Sequence, residues 1–360
     1  MKIMFLAAGN SIHTIRWVNT LARRDHDVYL VFLANQKPEL DLISEEVKQY
    51  QLKFGGNVSY YTNALELRKI VNKVKPDIVN AHYASGYGTL ARMARVRPLV
   101  LSVWGSDVYD FPYKNSFSMN LVKKNLNYAN EIASTSIAMS KQVEKLLGTD
   151  DRQITITPFG VDLSAFDQVS KNTKKEIITI GIIKTLAPKY GILDLIKAFK
   201  LLKKRNLPFD IQLLIYGDGP EKMEQQNLIN QNQLNNSVFL MGRIANTEVP
   251  RVLKTFDIFC VTSVLNSESF GVSAVEAMAA SLPVVATNVD GFMEVVDDGV
   301  TGIIVKKKDA VSIANGLEKL ILDANLRNTM GKAGYERVIK EYKWFDNVNV
   351  MERLYRKVID

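Results

Sequence analysis

The chain has 360 residues, of which 47% are apolar and 23% charged, and its formal net charge is +8. This length exceeds the size at which one hydrophobic core usually stops growing, so we expect two domains of an ordinary globular type. The single cysteine, Cys260, excludes a disulfide framework and favours a reducing compartment, and no apolar run is long enough for a transmembrane helix.

The first half of the chain alternates short apolar runs with helical patterns, which indicates a parallel sheet covered on both faces. The opening run, MKIMFLAAGN, is too short for a signal peptide, so we expect it to form the first strand. The predicted strands are Lys2–Ala8, Asp27–Leu33, Val58–Tyr61, Asp77–Ala81, Pro98–Val103, Glu131–Thr135 and Ile154–Thr157. The predicted helices are Ile12–Arg24, Ala64–Val74, Gly86–Arg95, Phe117–Ala129 and Ser140–Leu147.

A turn-rich segment, TPFGVDLSAF, and the polar run Asp167–Glu176 interrupt this pattern and predict a linker. The pattern then restarts, with strands at Ile177–Ile183, Ile211–Tyr216, Val238–Met241, Asp257–Val261, Pro283–Thr287 and Gly302–Val305. Closing helices are predicted at Ala310–Leu322, Leu326–Glu341 and Trp344–Val358. The fold class is therefore α/β, with two doubly wound domains facing a cleft. Ligands of such sheets bind at the carboxyl ends of the strands, where we expect loops from both domains to meet.

Positive charge is concentrated in the first half. Residues 1–165 carry 20 basic and 15 acidic side chains, a net +5, which leaves +3 for the rest. The stretch Arg68–Arg97 contains seven basic residues and a single acidic residue, Asp77. Such a stretch attracts anionic lipid or phosphorylated ligands, or it is simply a solvated helix face. Nothing resembles a nucleic-acid module, so we expect no nucleic-acid partner.

The segment Ser267–Val296 contains the strongest chemical signal. Its helix is apolar nearly all round, so it is expected to be buried, and a lone carboxylate there, Glu276, needs a partner. The amides at the start of that helix favour an anion, and Glu276 would lie about 6 Å along the axis from Val272. A second carboxylate, Glu268, precedes the helix. Amides for phosphate and acids for hydroxyl groups together predict a nucleotide-sugar site.

Other motifs are weaker. No GxGxxG follows the first strand, where Gly9 stands alone, and no GxxxxGK[ST] loop is present. Asp25-His26-Asp27 is a triplet of a kind that can hold a metal, but it also sits where a helix ends. The turn Gly217-Asp218-Gly219-Pro220 and the pair Gly242-Arg243 follow strands and could approach phosphate or base, or serve as ordinary turns. Lys184 and Lys189 follow the first strand of the second half, where a cation can offset diphosphate charge.

These segments together resemble a known family. GIIKTLAPKYGILDLIKAF, YGDGPE, FLMGR, DIFCVTS and SESFGVSAVEAMAASLPVVAT occur in that order, and VNAHYASGYG, SVWGSDV and TPFGVDLSAF also fit. The sequence resembles the retaining glycosyltransferases of family 4, which have the GT-B fold with two Rossmann-like domains. The resemblance implies an acceptor-binding domain over residues 1–165 and a nucleotide-sugar-binding domain over 172–342. It also implies that a C-terminal helix, 343–360, returns to the N-terminal domain.

The resemblance assigns roles to individual residues. It matches Glu276 to the ribose hydroxyls, Glu268 to the donor sugar and Lys189 to the leaving diphosphate, where it stabilises developing charge. The remaining donor-binding residues are expected to be Lys184, Gly217, Gly242, Arg243, Ser269, Phe270, Gly271 and Val272. No metal or other cofactor is expected for transfer. The anomeric configuration should be retained, with the diphosphate taking the acceptor proton.

The sequence departs from the family pattern at three places. Ile182 stands where many members have an arginine, and Lys184 could substitute only as a point charge. Tyr190 separates Lys189 from its glycine. Trp104 stands where many members have a histidine, so Asp107 or His82 is a candidate for part of that role. Gly9 and His13 are candidates for contact with the sugar or the acceptor.

The sequence leaves the acceptor side more open. Met119, Val122, Leu126 and Ala129 form an apolar stripe with Lys123 at its edge, as expected either for a core-facing helix or for one that meets a membrane. We expect a cytoplasmic hexosyl- or N-acetylhexosaminyltransferase, peripheral on the plasma membrane, that uses a UDP-sugar and a lipid-linked saccharide of a surface polysaccharide. A GT-B nucleotide-sugar epimerase and a non-catalytic sugar- or nucleotide-binding protein are the alternatives.

Overall fold

The computed structural model describes residues 1–149, 151–167 and 177–360. The chain divides into two compact units, one formed by Met1–Phe159 with Asp346–Asp360 and the other by Gly160–Phe345. Beyond Asp167, the predicted linker lies outside the described residues. None of the described helices is both long and apolar enough to span a membrane.

Unit 1 is built on a seven-stranded sheet whose strand pairs are all parallel. Its strands are β1 Lys2–Leu6, β2 Asp27–Phe32, β3 Lys48–Gln51, β4 Ile78–His82, β5 Leu99–Val103, β6 Glu131–Ser134 and β7 Ile154–Ile156. Its helices are α1 Ile12–Ala22, α2 Ser59–Thr62, α3 Ala64–Val74, α4 Gly88–Met93, α5 Ser106–Tyr109, α6 Ser116–Tyr128 and α7 Ile137–Leu147. The central strands β4 and β5 are buried along their whole length because helices cover both faces of the sheet.

Unit 2 repeats the plan with a six-stranded parallel sheet. Its strands are β8 Ile177–Ile183, β9 Asp210–Tyr216, β10 Val238–Gly242, β11 Ile258–Val261, β12 Val284–Thr287 and β13 Gly302–Val305. Its helices are α8 Ser164–Asp167, α9 Ile192–Lys203, α10 Lys222–Gln231, α11 Val249–Leu253, α12 Val272–Ala279, α13 Asp290–Val295, α14 Ala310–Leu322 and α15 Ala324–Glu341. The last helix of the chain is α16 Trp344–Ile359, which belongs to unit 1 from Asp346 onward.

The strand orders determine where each sheet can bind a ligand. They are β3-β2-β1-β4-β5-β6-β7 in unit 1 and β10-β9-β8-β11-β12-β13 in unit 2. In each sheet the order reverses between the first strand and the fourth, so the loops after these two strands diverge and leave a crevice. The predicted α/β class with two doubly wound domains is confirmed.

The last helix, α16, packs on unit 1, as expected. Asn80, in the middle of β4, donates a hydrogen bond of 2.7 Å to the buried hydroxyl of Tyr355. Glu352 accepts from Arg24 at 3.0 Å and lies 2.9 Å from the ring nitrogen of His26. The helix is therefore held by a buried polar contact at the sheet and, at its side, by the ion pair with Arg24 and the contact with His26.

Two local predictions were wrong. The segment predicted as a strand, Val58–Tyr61, is helical and leads into α3, whereas the edge strand β3 was not predicted. The sequence of β3, KQYQ, has no apolar alternation because one side of it meets solvent. The stripe on α6 faces the core, with Val122 and Leu126 fully buried, so the core-facing interpretation of that stripe is confirmed and its alternative, a membrane contact, is wrong.

Candidate functional site

The loop between β11 and α12 forms the crevice of unit 2. Gly271 begins α12 with a φ of +86°, and a Cβ atom there would meet the Phe292 ring at 2.7 Å, so a glycine is required. The loop is tied down by Thr287, whose hydroxyl donates to the carbonyl of Ser263, and by Asn266, which donates to Asp290 at 2.9 Å. Since the first amides of a helix lack intrahelical partners, α12 presents hydrogen-bond donors to this crevice.

An ion pair crosses the crevice from the end of β8. The ammonium of Lys184 lies 2.9 Å from each carboxylate oxygen of Glu268, and both side chains are largely buried, at 22% and 15% exposure. Burial by itself would lower the pKa of Lys184, but the Glu268 carboxylate, with Tyr190 and Glu276, raises it above its ordinary value. Lys184 therefore stays charged and interacts with both glutamates of the predicted pair.

Tyr190 lies between two cations. The ammonium of Lys184 is 4.7 Å from the centre of its ring, and that of Lys189 is 4.8 Å away. The turn that carries this tyrosine is fixed, because Thr262 donates to the Tyr190 carbonyl and the Val264 amide donates to the Lys189 carbonyl. Tyr190, which separates Lys189 from its glycine, thus contacts both lysines.

The glycine turn after β9 supports the loop that carries Lys184. Gly217 has a φ of +143°, and a Cβ atom there would lie 1.9 Å from the Lys184 carbonyl oxygen. The amide of Leu186 donates to the Asp218 carbonyl, and the Glu221 amide donates to the Leu186 carbonyl. Close backbone packing therefore accounts for Gly217. Gly242, at a φ of +78°, accepts a bond from the Gly217 amide, and Arg243 beside it is exposed.

Ser273, which was not predicted as a site residue, also belongs to this crevice. A small cavity is lined by Lys184, Tyr190, Thr262 and Ser273 among others. The hydroxyl oxygen of Ser273 is buried and, among the described residues, has no hydrogen-bond partner. Its position in the first turn of α12 was the available signal, since a hydroxyl there can join the amides in binding an anion.

The crevice of unit 1 is lined by aromatic rings. Trp104, directly after β5, contacts His82 with ring centroids 4.2 Å apart, and it also contacts Tyr83, His13 and Phe159. His13 stacks on Phe159 at 4.3 Å. Burial, with a smaller contribution from His13, lowers the pKa of His82 to about 3. His82 is therefore neutral at physiological pH and 2% exposed.

Asp107 holds two loops of unit 1 together. Its carboxylate, 1% exposed, accepts from the amides of Ala84 at 2.7 Å, Trp104 at 3.1 Å and Gly105 at 2.9 Å. Burial raises the pKa of Asp107 above its ordinary value, although these amides act in the opposite direction. The contacts favour a positioning role, in which Asp107 fixes Trp104 and the turn after β4, over direct participation in a reaction.

The remaining predicted residues of unit 1 are packed against, or paired with, other residues of the same unit. Gly9 is buried, and a Cβ atom there would lie 2.6 Å from Pro38. The side chains of Asp25-His26-Asp27 do not converge, because His26 faces Glu352 and Asp27 pairs with Lys48. Among the described residues, no three His, Cys, Asp or Glu side chains are grouped as metal ligands.

Comparison with known proteins agrees with the two-unit fold. The model for glycosyl transferases group 1 matches residues 164–337, and the glycosyl transferase 4-like model matches residues 2–136. The capsular polysaccharide biosynthesis glycosyltransferase CapM of Staphylococcus aureus is 26% identical, covering 86% of this chain and 88% of that protein. The UDP-Gal:alpha-D-GlcNAc-diphosphoundecaprenol alpha-1,3-galactosyltransferase of Escherichia coli is 25% identical, covering 99% of this chain and 95% of that protein.

A solved structure shows the same fold. Anabaena HepE, determined in complex with UDP, superimposes with a TM-score of 0.82 at 18% identity and covers 99% of this chain and 100% of that one. The two family models fall on successive parts of the chain, and both of these relatives are glycosyltransferases, one of them of capsular polysaccharide biosynthesis. The chain therefore belongs to the group 1, family 4-like glycosyltransferases, and it is an enzyme of the GT-B fold.

Proposed function

We propose that this enzyme moves a hexosyl or N-acetylhexosaminyl group from a nucleotide-diphosphate sugar, with UDP the expected nucleotide, to a lipid-linked saccharide of a surface polysaccharide. The transfer retains the anomeric configuration. The observation that carries the proposal is the arrangement at the start of α12, where Lys184 interacts with Glu268 and Glu276 beside helix amides. A diphosphate and a sugar need this combination of cation, carboxylates and amides.

Each group in the crevice has a role in the proposal. The α12 amides and the Ser273 hydroxyl bind the diphosphate, while Lys184 and Lys189 offset its charge and stabilise the charge that develops as the glycosidic bond breaks. Glu276 binds the ribose hydroxyls, and Glu268 accepts from a hydroxyl of the donor sugar. The leaving diphosphate takes the proton of the acceptor hydroxyl, so no side chain of the crevice has to act as general base.

The names of related proteins support the choice of substrates. The Escherichia coli relative is named for a UDP-galactose donor and a diphosphoundecaprenol-linked acceptor. Anabaena HepE has been determined with UDP and with UDP-glucose. We extend both features, the uridine nucleotide and the lipid diphosphate, to this enzyme. A lipid-linked acceptor also implies a peripheral location on the cytoplasmic face of the plasma membrane, which the net charge of +5 over residues 1–165 favours.

The donor can be tested before the acceptor is known. Thermal unfolding in the presence of UDP, GDP, ADP or CMP, and then of the matching sugars, should show stabilisation by a UDP-sugar beyond that given by UDP. Stabilisation by none of these nucleotides would refute the donor site. Turnover of the donor without any acceptor would instead favour the epimerase.

The site residues can be tested with matched variants. Glu276→Ala and Lys189→Ala should abolish transfer while leaving the folded state intact. Glu224→Ala on α10 and Lys203→Ala on α9 change the same residue types at exposed positions and should keep full activity. Full activity of both site variants would contradict the residue assignment.

A further inference from the structure

A surface of unit 1 exposes large apolar side chains that no part of the described chain covers. Val58 is 71% exposed and Leu65 70%, and nearby Phe54 and Tyr61 are 46% and 38% exposed. Single exposed apolar residues are ordinary, but four within twelve positions are not. We name this surface, together with Lys69 and Lys73, the α2–α3 face.

Five of the six residues lie on one nearly continuous stretch of helix, Val58 to Val74, and Phe54 precedes this stretch and is tied to it by its amide, which donates to the Asn63 side chain at 3.2 Å. The amide of Thr62 donates to the Val58 carbonyl, that of Asn63 to Ser59, and that of Leu67 to Asn63, so the turns of α2 run into α3. At about 100° per residue, Val58, Leu65, Lys69 and Lys73 fall within roughly 60° of a common direction. The opposite side of α3, with Leu67 and Val74, is buried in the core.

The α2–α3 face is strongly basic. Residues 53–75 contain five basic side chains and one acidic side chain, Glu66. Glu66 is turned toward the protein, where it accepts from the Lys53 amide at 3.0 Å. Lys69, Lys73 and Lys75 are exposed, and the ammonium of Lys53 lies 5.3 Å from the centre of the Phe54 ring. An approaching surface thus meets apolar side chains at one end and positive charge along the rest.

Size and charge together favour a lipid surface as the occupant. The four apolar side chains expose on the order of 400 Å² in total, about half of what one partner buries in a standard protein interface. A shallow apolar contact beside several lysines is instead the pattern of segments that lie in the headgroup region of anionic bilayers.

We propose that the α2–α3 face docks this enzyme on an anionic lipid bilayer, with Phe54, Val58, Tyr61 and Leu65 at the headgroup boundary and Lys69 and Lys73 against lipid phosphates. This deepens the membrane location proposed above by naming its surface. It does not depend on which donor or acceptor the enzyme uses.

Vesicle flotation tests the proposal directly. The protein should float with vesicles of phosphatidylcholine mixed with phosphatidylglycerol, and much less with phosphatidylcholine alone or at high salt. Lys69→Gln combined with Lys73→Gln should weaken binding about thirtyfold, which corresponds to about 1 kcal/mol for each lysine. Val58→Ser combined with Leu65→Ser should weaken it at least about tenfold.

Matched controls separate docking from folding. Met223→Ser and the pair Lys203→Gln, Lys204→Gln alter exposed residues of unit 2 and should leave vesicle binding unchanged. Unchanged unfolding temperatures of the lysine variant would show that its loss of binding is not a loss of fold. Transfer to a water-soluble acceptor should also be unchanged in every variant, so a failure of the proposed donor chemistry would appear in that assay and not in flotation.

Two results would overturn the proposal. One is equal binding of the wild type and both face variants to the anionic vesicles. The other is a dimer of the wild type in solution that Val58→Ser with Leu65→Ser dissociates, since the α2–α3 face would then be an interface between copies of the chain.

Discussion

The strength of the ion pair between Lys184 and Glu268 follows from its length and its burial. At 2.9 Å and an effective dielectric constant of about 20, the two charges attract by about 6 kcal/mol. Desolvation of both groups offsets most of this, so we expect a net coupling of about 2 kcal/mol, similar to that of a hydrogen bond between charged groups. The perturbations are Lys184→Met, Glu268→Gln and the double variant.

Each single variant should lower the free energy of unfolding by about 3 kcal/mol, since it removes the coupling and leaves one polar or charged group buried without its partner. The double variant should lose less than the sum of the two, by about 2 kcal/mol. Urea unfolding of the wild type, the two single variants and the double variant at neutral pH measures the coupling free energy, provided that the four proteins have the same dependence of unfolding free energy on urea concentration. A coupling below about 0.5 kcal/mol, the usual error of additivity, would refute the reasoning.

The pKa of Lys184 determines the pH range in which this coupling can be measured. Because the folded-state pKa is raised, the stabilising contribution is complete below the ordinary lysine pKa of about 10.4. It is lost only as the pH rises through the still higher folded value. Measurements near pH 7 therefore report the full coupling, and Lys184 should lose its charge only in strongly alkaline solution.

Three further predictions concern Tyr190 in unit 2 and Asp107 and His82 in unit 1. Tyr190→Leu should weaken UDP binding about tenfold and Tyr190→Phe hardly at all, as measured by calorimetry, because the ring holds two ammonium groups. Asp107→Asn should lower the free energy of unfolding by about 2 kcal/mol in urea, because the new amide group faces backbone N–H donors. His82 takes up a proton near pH 6.5 when unfolded but only at about pH 3 when folded, so its contribution to stability falls as the pH is lowered between these values. His82→Phe should therefore reduce the slope of stability against pH in that range by about 1.4 kcal/mol per unit.

The fold could be predicted from the sequence wherever a segment is buried on both faces. Strands such as β4 and β5 are apolar throughout and alternate with amphipathic helices, so their existence follows from composition alone. The edge strand β3 could not be found in this way, because its polar side chains are compatible with solvent and its pairing with β2 is made by the backbone. The segment Val58–Tyr61, predicted as a strand, contains a β-branched residue and two aromatic residues, which favour strands, but its exposed side chains, Val58 and Tyr61, follow the period of a helix.

The candidate site was predictable as a set of residues but not as a set of contacts. The sequence pointed to Glu268, Glu276 and Lys184 separately. It could not show that Lys184 and Glu268, 84 positions apart, form an ion pair, since that depends on β8 and β11 being neighbours in the sheet. The position of Ser273 in the first turn of α12 was a signal in the sequence, but only the structure shows that its buried hydroxyl lacks a partner among the described residues.

We propose that Lys184 takes the role that an arginine at position 182 has in many members of the family, and the pleat of β8 supports this proposal. Side chains along a strand alternate between faces, so positions 182 and 184 point the same way, about 6.6 Å apart. The ladder continues past the end of β8, where the Lys184 amide donates to the Tyr216 carbonyl. Ile182 is 2% exposed and completes the core, whereas Lys184 stands one pleat further out and reaches Glu268. The positive charge is thus kept on the same face of the sheet, and the single ammonium, which lacks the fork of a guanidinium, is oriented by Glu268 on one side and by the Tyr190 ring on the other.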